Sequence, residues 1–145
     1  MVELIDNRKI LNIGFISTRF AGTDGVSLET EKWAEVFGEL GHNCFYFCGK
    51  SDRPEEKSMV FPEAFYRHPE IRKMHNQFFQ NDVRSREETN WVHEKTRVFK
   101  ERVGTFLEKF GIDLMIVENA LSIPLNIPLG LAITELISET KIPVI

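Results

Sequence analysis

The segment Ser17-Thr-Arg-Phe-Ala-Gly-Thr-Asp-Gly25 carries the residue types and spacing that most directly suggest chemistry. The apolar run ahead of it, Ile10-Leu-Asn-Ile-Gly-Phe-Ile16, reads as a strand, and Gly25 to Leu40 behind it reads as an amphipathic helix. In that order a glycine-bearing loop brings the N–H groups of the helix's first turn to the carboxyl end of the strand. There they can hold an anion without a charged side chain. A phosphate-bearing ligand is the functional reading of Gly22, Thr23, Asp24, Gly25, Val26 and Ser27, and a tight turn into the helix is the purely structural one.

The glycine spacing narrows the chemistry. Gly22-Thr-Asp-Gly25 is a GxxG, neither the GxGxxG of dinucleotide folds nor the GxxxxGK[ST] of P-loops, and no Lys follows to reach a terminal phosphate. Hydride transfer and P-loop hydrolysis both lose ground. Glu118 and Asn119 follow directly on the apolar run Leu114-Met-Ile-Val117, a position suited to hydrogen-bonding sugar hydroxyls at a strand's carboxyl end. Their bland alternatives are a turn cap at Asn119 and a solvated Glu118. Arg19 could pair with a phosphate or a carboxylate, or simply be solvated.

Other reactive residue types point elsewhere. Cys44 and Cys48 share one face of the strand pattern Asn43-Cys-Phe-Tyr-Phe-Cys48 but lie about 13 Å apart, too far for a disulfide, and read as packed thiols. His42 suits the end of the preceding helix, and His68, His75 and His93 lack partners at ligand spacing, so no metal is expected.

These groups need a frame. The periodicity predicts strands over Ile10–Ser17, Asn43–Cys48 and Asp113–Glu118, with a short edge strand or loop within Met59–Tyr66, where Pro62 interrupts pairing. It predicts a first helix whose inward face carries Val26, Thr30, Trp33, Phe37 and Leu40, then a charged surface loop over Lys50–Lys57. A helix over Pro69–Gln80 would turn Ile71, Met74, Phe78 and Phe79 inward. Ser85-Arg-Glu-Glu88 opens a longer one to about Phe110, with Val92, Phe99, Val103, Phe106 and Phe110 inward. Ser122 or Asn126 opens a last helix to about Glu139, and Lys141–Ile145 begins a further strand. Alternating strands and helices of this kind form a doubly wound, Rossmann-like parallel α/β sheet.

Composition fits one domain over residues 1–145. The chain is 42% hydrophobic and 28% charged, enough for a single core, and its formal charge of −4 argues against a nucleic-acid partner. The stretch Ala120–Ile133 is too short and too interrupted to span a bilayer, and Met1 to Lys9 lacks a secretory pattern, so the expected location is cytoplasmic.

Ile13-Gly-Phe-Ile-Ser17, Gly22-Thr-Asp-Gly-Val-Ser-Leu-Glu29 and Trp33-Ala-Glu-Val-Phe-Gly-Glu-Leu-Gly-His-Asn43 resemble the N-terminal domain of GT-B-fold retaining glycosyltransferases, the group 1 (family 4-like) enzymes. Asp113-Leu-Met-Ile-Val-Glu-Asn119 and Ser122-Ile-Pro-Leu-Asn-Ile-Pro-Leu-Gly-Leu-Ala132 resemble that family's strand and helix across the cleft. The resemblance implies the acceptor-side half of a glycosyltransferase, with a nucleotide-sugar donor, a sugar or lipid acceptor, and a donor-binding C-terminal domain in cis or on another chain. It implies neither a metal nor a covalent cofactor, and the fragment alone would be inactive. Arg67, Arg72, Lys73, Arg84 and Arg86 offer a diffuse basic patch for a peripheral contact at the inner membrane face.

Under this resemblance Gly22, Gly25 and the N–H groups of Val26 and Ser27 would approach the donor diphosphate or the acceptor. Asp24 departs from the commoner Gly-Gly form of the loop. A carboxylate beside a diphosphate is repulsive, so helix capping is the favoured role and a hydrogen bond from an acceptor hydroxyl the other. The competing function is a non-catalytic Rossmann-like module that binds a phosphorylated metabolite or a partner protein.

Overall fold

The computed structural model describes residues 9–145. The expectation drawn from Met1 to Arg8 lies outside them.

Strands β1 (Asn12–Ile16), β2 (Asn43–Cys48), β3 (Ser58–Val60) and β4 (Leu114–Val117) form one parallel sheet in the order β3-β2-β1-β4. Ile13 pairs with Cys44 on one side and Leu114 on the other. The Lys141–Ile145 tail lies alongside β4: Met115 N–H donates to Pro143 O and Ile145 N–H to Met115 O, both at 2.9 Å. A single bridge at Val144 marks the contact. The edge position of β3 explains how a strand survives so close to Pro62, because an edge strand needs ladder partners on one side only.

Side-chain alternation sorts the core into two layers. Ile13 and Phe15 of β1, Cys44, Tyr46 and Cys48 of β2, and Ile116 of β4 pack beneath helix α1 (Gly25–Glu39), joined by Val26, Ala34 and Phe37. Ile16, Phe47 and Met115 face the opposite way, onto α3 (Arg86–Lys109) and α4 (Ile127–Glu139). From α3 come Phe99, Val103, Phe106 and Leu107, and from α4 come Leu129, Ala132, Ile133 and Leu136. Helix α2 (Pro69–Gln80) buries Ile71 and Met74. The period of two in the strands places helices on both faces, which is the doubly wound arrangement the sequence predicts.

Local signals explain the boundaries. Ser85 and Glu88 form a reciprocal capping box at the start of α3. Asn126, rather than Ser122, caps α4 through its side-chain oxygen on Leu129 N–H, while its amide donates to Glu63 O and Ala64 O. Asn126 therefore fixes the start of α4 against the segment that follows β3.

The inward faces differ in detail from expectation. Trp33 of α1 and its C-cap Leu40 are 47% and 55% exposed, while Thr30 is buried as expected and Ser27 is buried beside it. Trp33 stacks on Phe37 at a centroid distance of 5.7 Å, so its ring covers a neighbour rather than the sheet. Phe79, at 59% exposure, also stays outside and packs against His75. The two thiols are free and buried as expected, and burial pushes each pKa up to about 11.

Candidate functional site

The sheet's order reverses between β1 and β4, and the loops leaving their carboxyl ends diverge there. A cleft of 230 Å³ lies at this point, lined by Ser17, Thr18, Arg19, Asp24 and Val26 on one wall and by Asn119, Leu125 and Tyr66 on the other. Ser17 Oγ donates to Glu118 O at 2.9 Å and Glu118 N–H donates to Ile16 O at 2.9 Å, which ties the two strand ends together below it.

The first wall is built by continuing the β1–β2 pairing past the strands. Ser17 N–H donates to Phe47 O, Gly49 N–H to Thr18 O and Phe20 N–H to Lys50 O. Phe20 is fully buried and meets Tyr46 and Phe15 edge-on, at 5.8 and 6.5 Å. That aromatic anchor holds Arg19 beside the cleft while the chain turns upward. Gly22 then adopts φ 85°, a conformation that a side chain would strain, and its N–H donates to Asp52 Oδ2 at 2.9 Å.

Arg53 secures the same loop from beneath. Its Nη2 donates to Ser27 O at 2.7 Å, its Nε lies 3.7 Å from the Asp52 carboxylate, and its guanidinium packs over the Tyr46 ring. Asp52 and Arg53 fall within the predicted surface loop Lys50–Lys57. Nothing in their local pattern distinguishes them from solvated charges; only the parallel pairing of β2 with β1 brings them, past the strands' carboxyl ends, to the glycine loop.

Asp24 caps α1. Oδ1 accepts from Ser27 N–H at 3.1 Å, Oδ2 accepts from Ser27 Oγ at 2.7 Å, and Arg19 Nη2 lies 3.0 Å from Oδ2. Burial alone would raise this carboxyl's pKa, but the Ser27 hydrogen bonds and the Arg19 charge together lower it. The donors of the loop and the first turn are thus partly used: Gly22 N–H is held by Asp52 and Ser27 N–H by Asp24. Among the described residues the N–H groups of Gly25 and Val26 have no partner.

Of the sequence-predicted residues, Arg19, Asp24, Val26 and Asn119 come together as cleft lining. Thr23 and Gly25 are exposed at the loop tip and Ser27 is buried under the cap. Asn119 takes φ 62°, a left-handed conformation that Asn tolerates, and its carbonyl accepts from Ile123 N–H. Its backbone rather than its side chain makes the turn. Glu118 is not among the lining residues; burial and the nearby Glu29 charge raise its pKa.

Ser17, Thr18, Tyr66 and Leu125 complete the cleft, and of these only Leu125 lies outside the segments whose residue types drew attention. Tyr66 reaches it because the chain after β3 crosses Gly49, where an added Cβ would overlap the backbone of Phe65. The sequence signal for this crossing is Gly49 itself, directly after β2. Among the described residues no group of three or more His, Cys, Asp or Glu could hold a metal ion, and no helix is long and apolar enough to cross a membrane. His42, at the end of α1, accepts the Leu11 N–H on Nδ1 at 3.1 Å.

The chain is 26% identical over 129 residues to mannosylglucosylglycerate synthase of Thermotoga maritima, a match covering 87% of this chain. With the parallel sheet, that similarity supports a glycosyltransferase-like α/β protein. The chain spans 29% of the synthase's length. No family model and no solved structure matches it.

Proposed function

We propose that this chain is the acceptor-side half of a glycosyltransferase, in which a sugar passes from a nucleotide-sugar donor to a sugar or lipid hydroxyl. The observation that carries the reading is the cleft at the β1–β4 reversal, bounded by the glycine loop and the Asn119 turn, in a chain similar along most of its length to a synthase of a glycosylated product. The donor's base and sugar would be held by a second, GT-B-type domain, in cis or on another chain.

In the reaction the acceptor hydroxyl oxygen bonds to the donor's anomeric carbon as the bond from that carbon to the diphosphate breaks, and the hydroxyl proton passes to the departing diphosphate. Negative charge grows on the departing diphosphate. The Gly25 and Val26 N–H groups, at the positive end of α1, would stabilise that charge as it develops. Arg19 would offset the Asp24 carboxylate, which otherwise repels an anion at the helix end. Asn119 and Thr18, on opposite walls, would orient acceptor hydroxyls by hydrogen bonding.

The test is donor hydrolysis or transfer by the longest natural form of the protein, incubated with a panel of UDP-, GDP- and ADP-sugars that includes mannosyl donors. Release of nucleoside diphosphate from one donor is the expected result. A folded protein carrying both domains that releases none would favour the non-catalytic binding module.

A further inference from the structure

A second cavity adjoins the cleft. It has a volume of 420 Å³, within the range of roughly 300–1,000 Å³ usual for small-molecule sites, and is lined by Tyr66, Arg67, Arg72, His75, Asn76 and Leu125. Tyr66 and Leu125 belong to both cavities, so the second continues the first across these two side chains. The diffuse basic patch expected from sequence is therefore divided. Arg67 and Arg72 line one cavity, while Arg84 turns away to Thr89 Oγ1 and the Phe78 ring.

The lining is chemically one-sided. It holds two guanidinium groups, an imidazole and a carboxamide, with no acidic side chain among them. Among the described residues neither Arg67 nor Arg72 forms an ion pair, unlike Arg19 and Arg53, which each have a carboxylate within 4 Å. Arg67 packs over the Tyr66 ring, 5.4 Å from its centroid. That contact restrains the side chain beside the shared wall and leaves its fork of N–H donors available. Arg72 and His75 lie on successive turns of α2, three residues apart on one helix face.

We propose that this cavity is an oxyanion subsite for the acceptor, taking the carboxylate or phosphate of a sugar acid or sugar phosphate whose hydroxyl reaches into the neighbouring cleft. The assignment of the bound molecule as acceptor rests on the glycosyltransferase reading; the anion selectivity does not. A planar guanidinium fork matches a carboxylate or phosphate with two parallel hydrogen bonds, and two such forks without competing acids discriminate against neutral sugars. A substrate held at both ends would be oriented as well as bound.

The experiment is calorimetric titration of the longest natural form of the protein with glucuronate, glucose 6-phosphate and glucose at fixed ionic strength, without donor. At least one anionic sugar should bind roughly tenfold or more tightly than glucose, the scale of one charge-assisted hydrogen bond. The double substitution Arg67→Gln with Arg72→Gln should remove that margin while leaving the circular dichroism spectrum unchanged, since both side chains are exposed. A preference for glucuronate would assign a carboxylate, and one for glucose 6-phosphate a phosphate. Equal binding of all three sugars, including binding of none, overturns the subsite, as does a margin that survives the double substitution. Nucleoside diphosphate release is measured separately. Release without an anion margin overturns the subsite alone, whereas an anion margin without release from any donor overturns its assignment to an acceptor.

Discussion

The Asp24 carboxylate lies 3.0 Å from the Arg19 guanidinium at the N-terminus of α1, so the helix end most suited to an external anion already holds an internal one. Its charge satisfies the cap and competes with a phosphate for the same electrostatic field. Asp24→Asn keeps a good capping side chain and removes the charge. We expect the nucleoside diphosphate Kd to fall severalfold and stability near pH 7 to change by less than about 1 kcal/mol. Calorimetric titration and urea unfolding read the two effects separately. Weaker binding in the Asn variant would mean that Asp24 assists the ligand instead of competing with it. Because the carboxyl's pKa is lowered in the fold, its stabilisation is present above the ordinary value of 3.8 and is lost as pH falls through the lowered one. Asp24→Asn should show none of that acid-side loss from this position.

Gly25→Val tests the loop itself. An added Cβ at Gly25 meets no protein atom within 4 Å, so the fold has room for it, and the first helical position tolerates the change. Unfolding midpoints should stay close to those of the unsubstituted protein, within about 1 kcal/mol. Turnover of a nucleotide sugar by the longest natural form should fall tenfold or more, on the order of one lost transition-state contact. Unchanged turnover would remove the glycine loop from the mechanism.

Gly49→Ala should behave in the opposite way. Its methyl would overlap the backbone of Phe65, so either β2 or the segment carrying Tyr66 must move. Overpacking against backbone costs on the order of 1–3 kcal/mol. Displacement of Tyr66 would also weaken ligand binding at both cavities it lines. A lower urea midpoint together with weaker sugar binding is the expected pair of results. A variant as stable as the parent would show that the chain after β3 can rise off the sheet at little cost.

The contrast between these glycines indicates how far the sequence could be read. Strand and helix order was legible because Ile13, Phe15 and Ile16 alternate faces and Val92, Phe99, Val103 and Phe106 keep a helical period, both of which are local signals. The capping roles of Asp24, Ser85 and Asn126 were equally local, since each acts within three residues of itself. What the sequence concealed were contacts made at long separation. Asp52 and Arg53 reach the glycine loop only because β2 runs beside β1. Trp33 and Leu40 misled for a related reason. Their spacing fits a helical stripe, but α1 sits on the sheet through Ser27, Thr30 and Ala34 with Val26 and Phe37, and Trp33 and Leu40 lie outside that contact.

Glu118 gives a pH dependence of definite sign. Burial beside the carboxyl end of β4, with the Glu29 charge nearby, raises its pKa above the ordinary 4.5. The folded protein therefore binds more protons at this position than the unfolded chain does, and stability falls as pH rises from 4.5 through the raised value. Above that window the cost of the charged form is constant. Glu118→Gln carries no charge at any pH, and the backbone carbonyl that accepts the Ser17 hydroxyl is left in place. The variant should exceed the parent in stability near pH 7 by less than about 1 kcal/mol, the scale left to a partly exposed group after solvent screening. The difference should shrink as both are brought below 4.5, where the parent's carboxyl is also neutral. Urea midpoints taken across this range measure it directly. A Gln variant less stable than the parent at neutral pH would show that the Glu118 carboxylate gains a favourable contact in the folded protein that outweighs its burial.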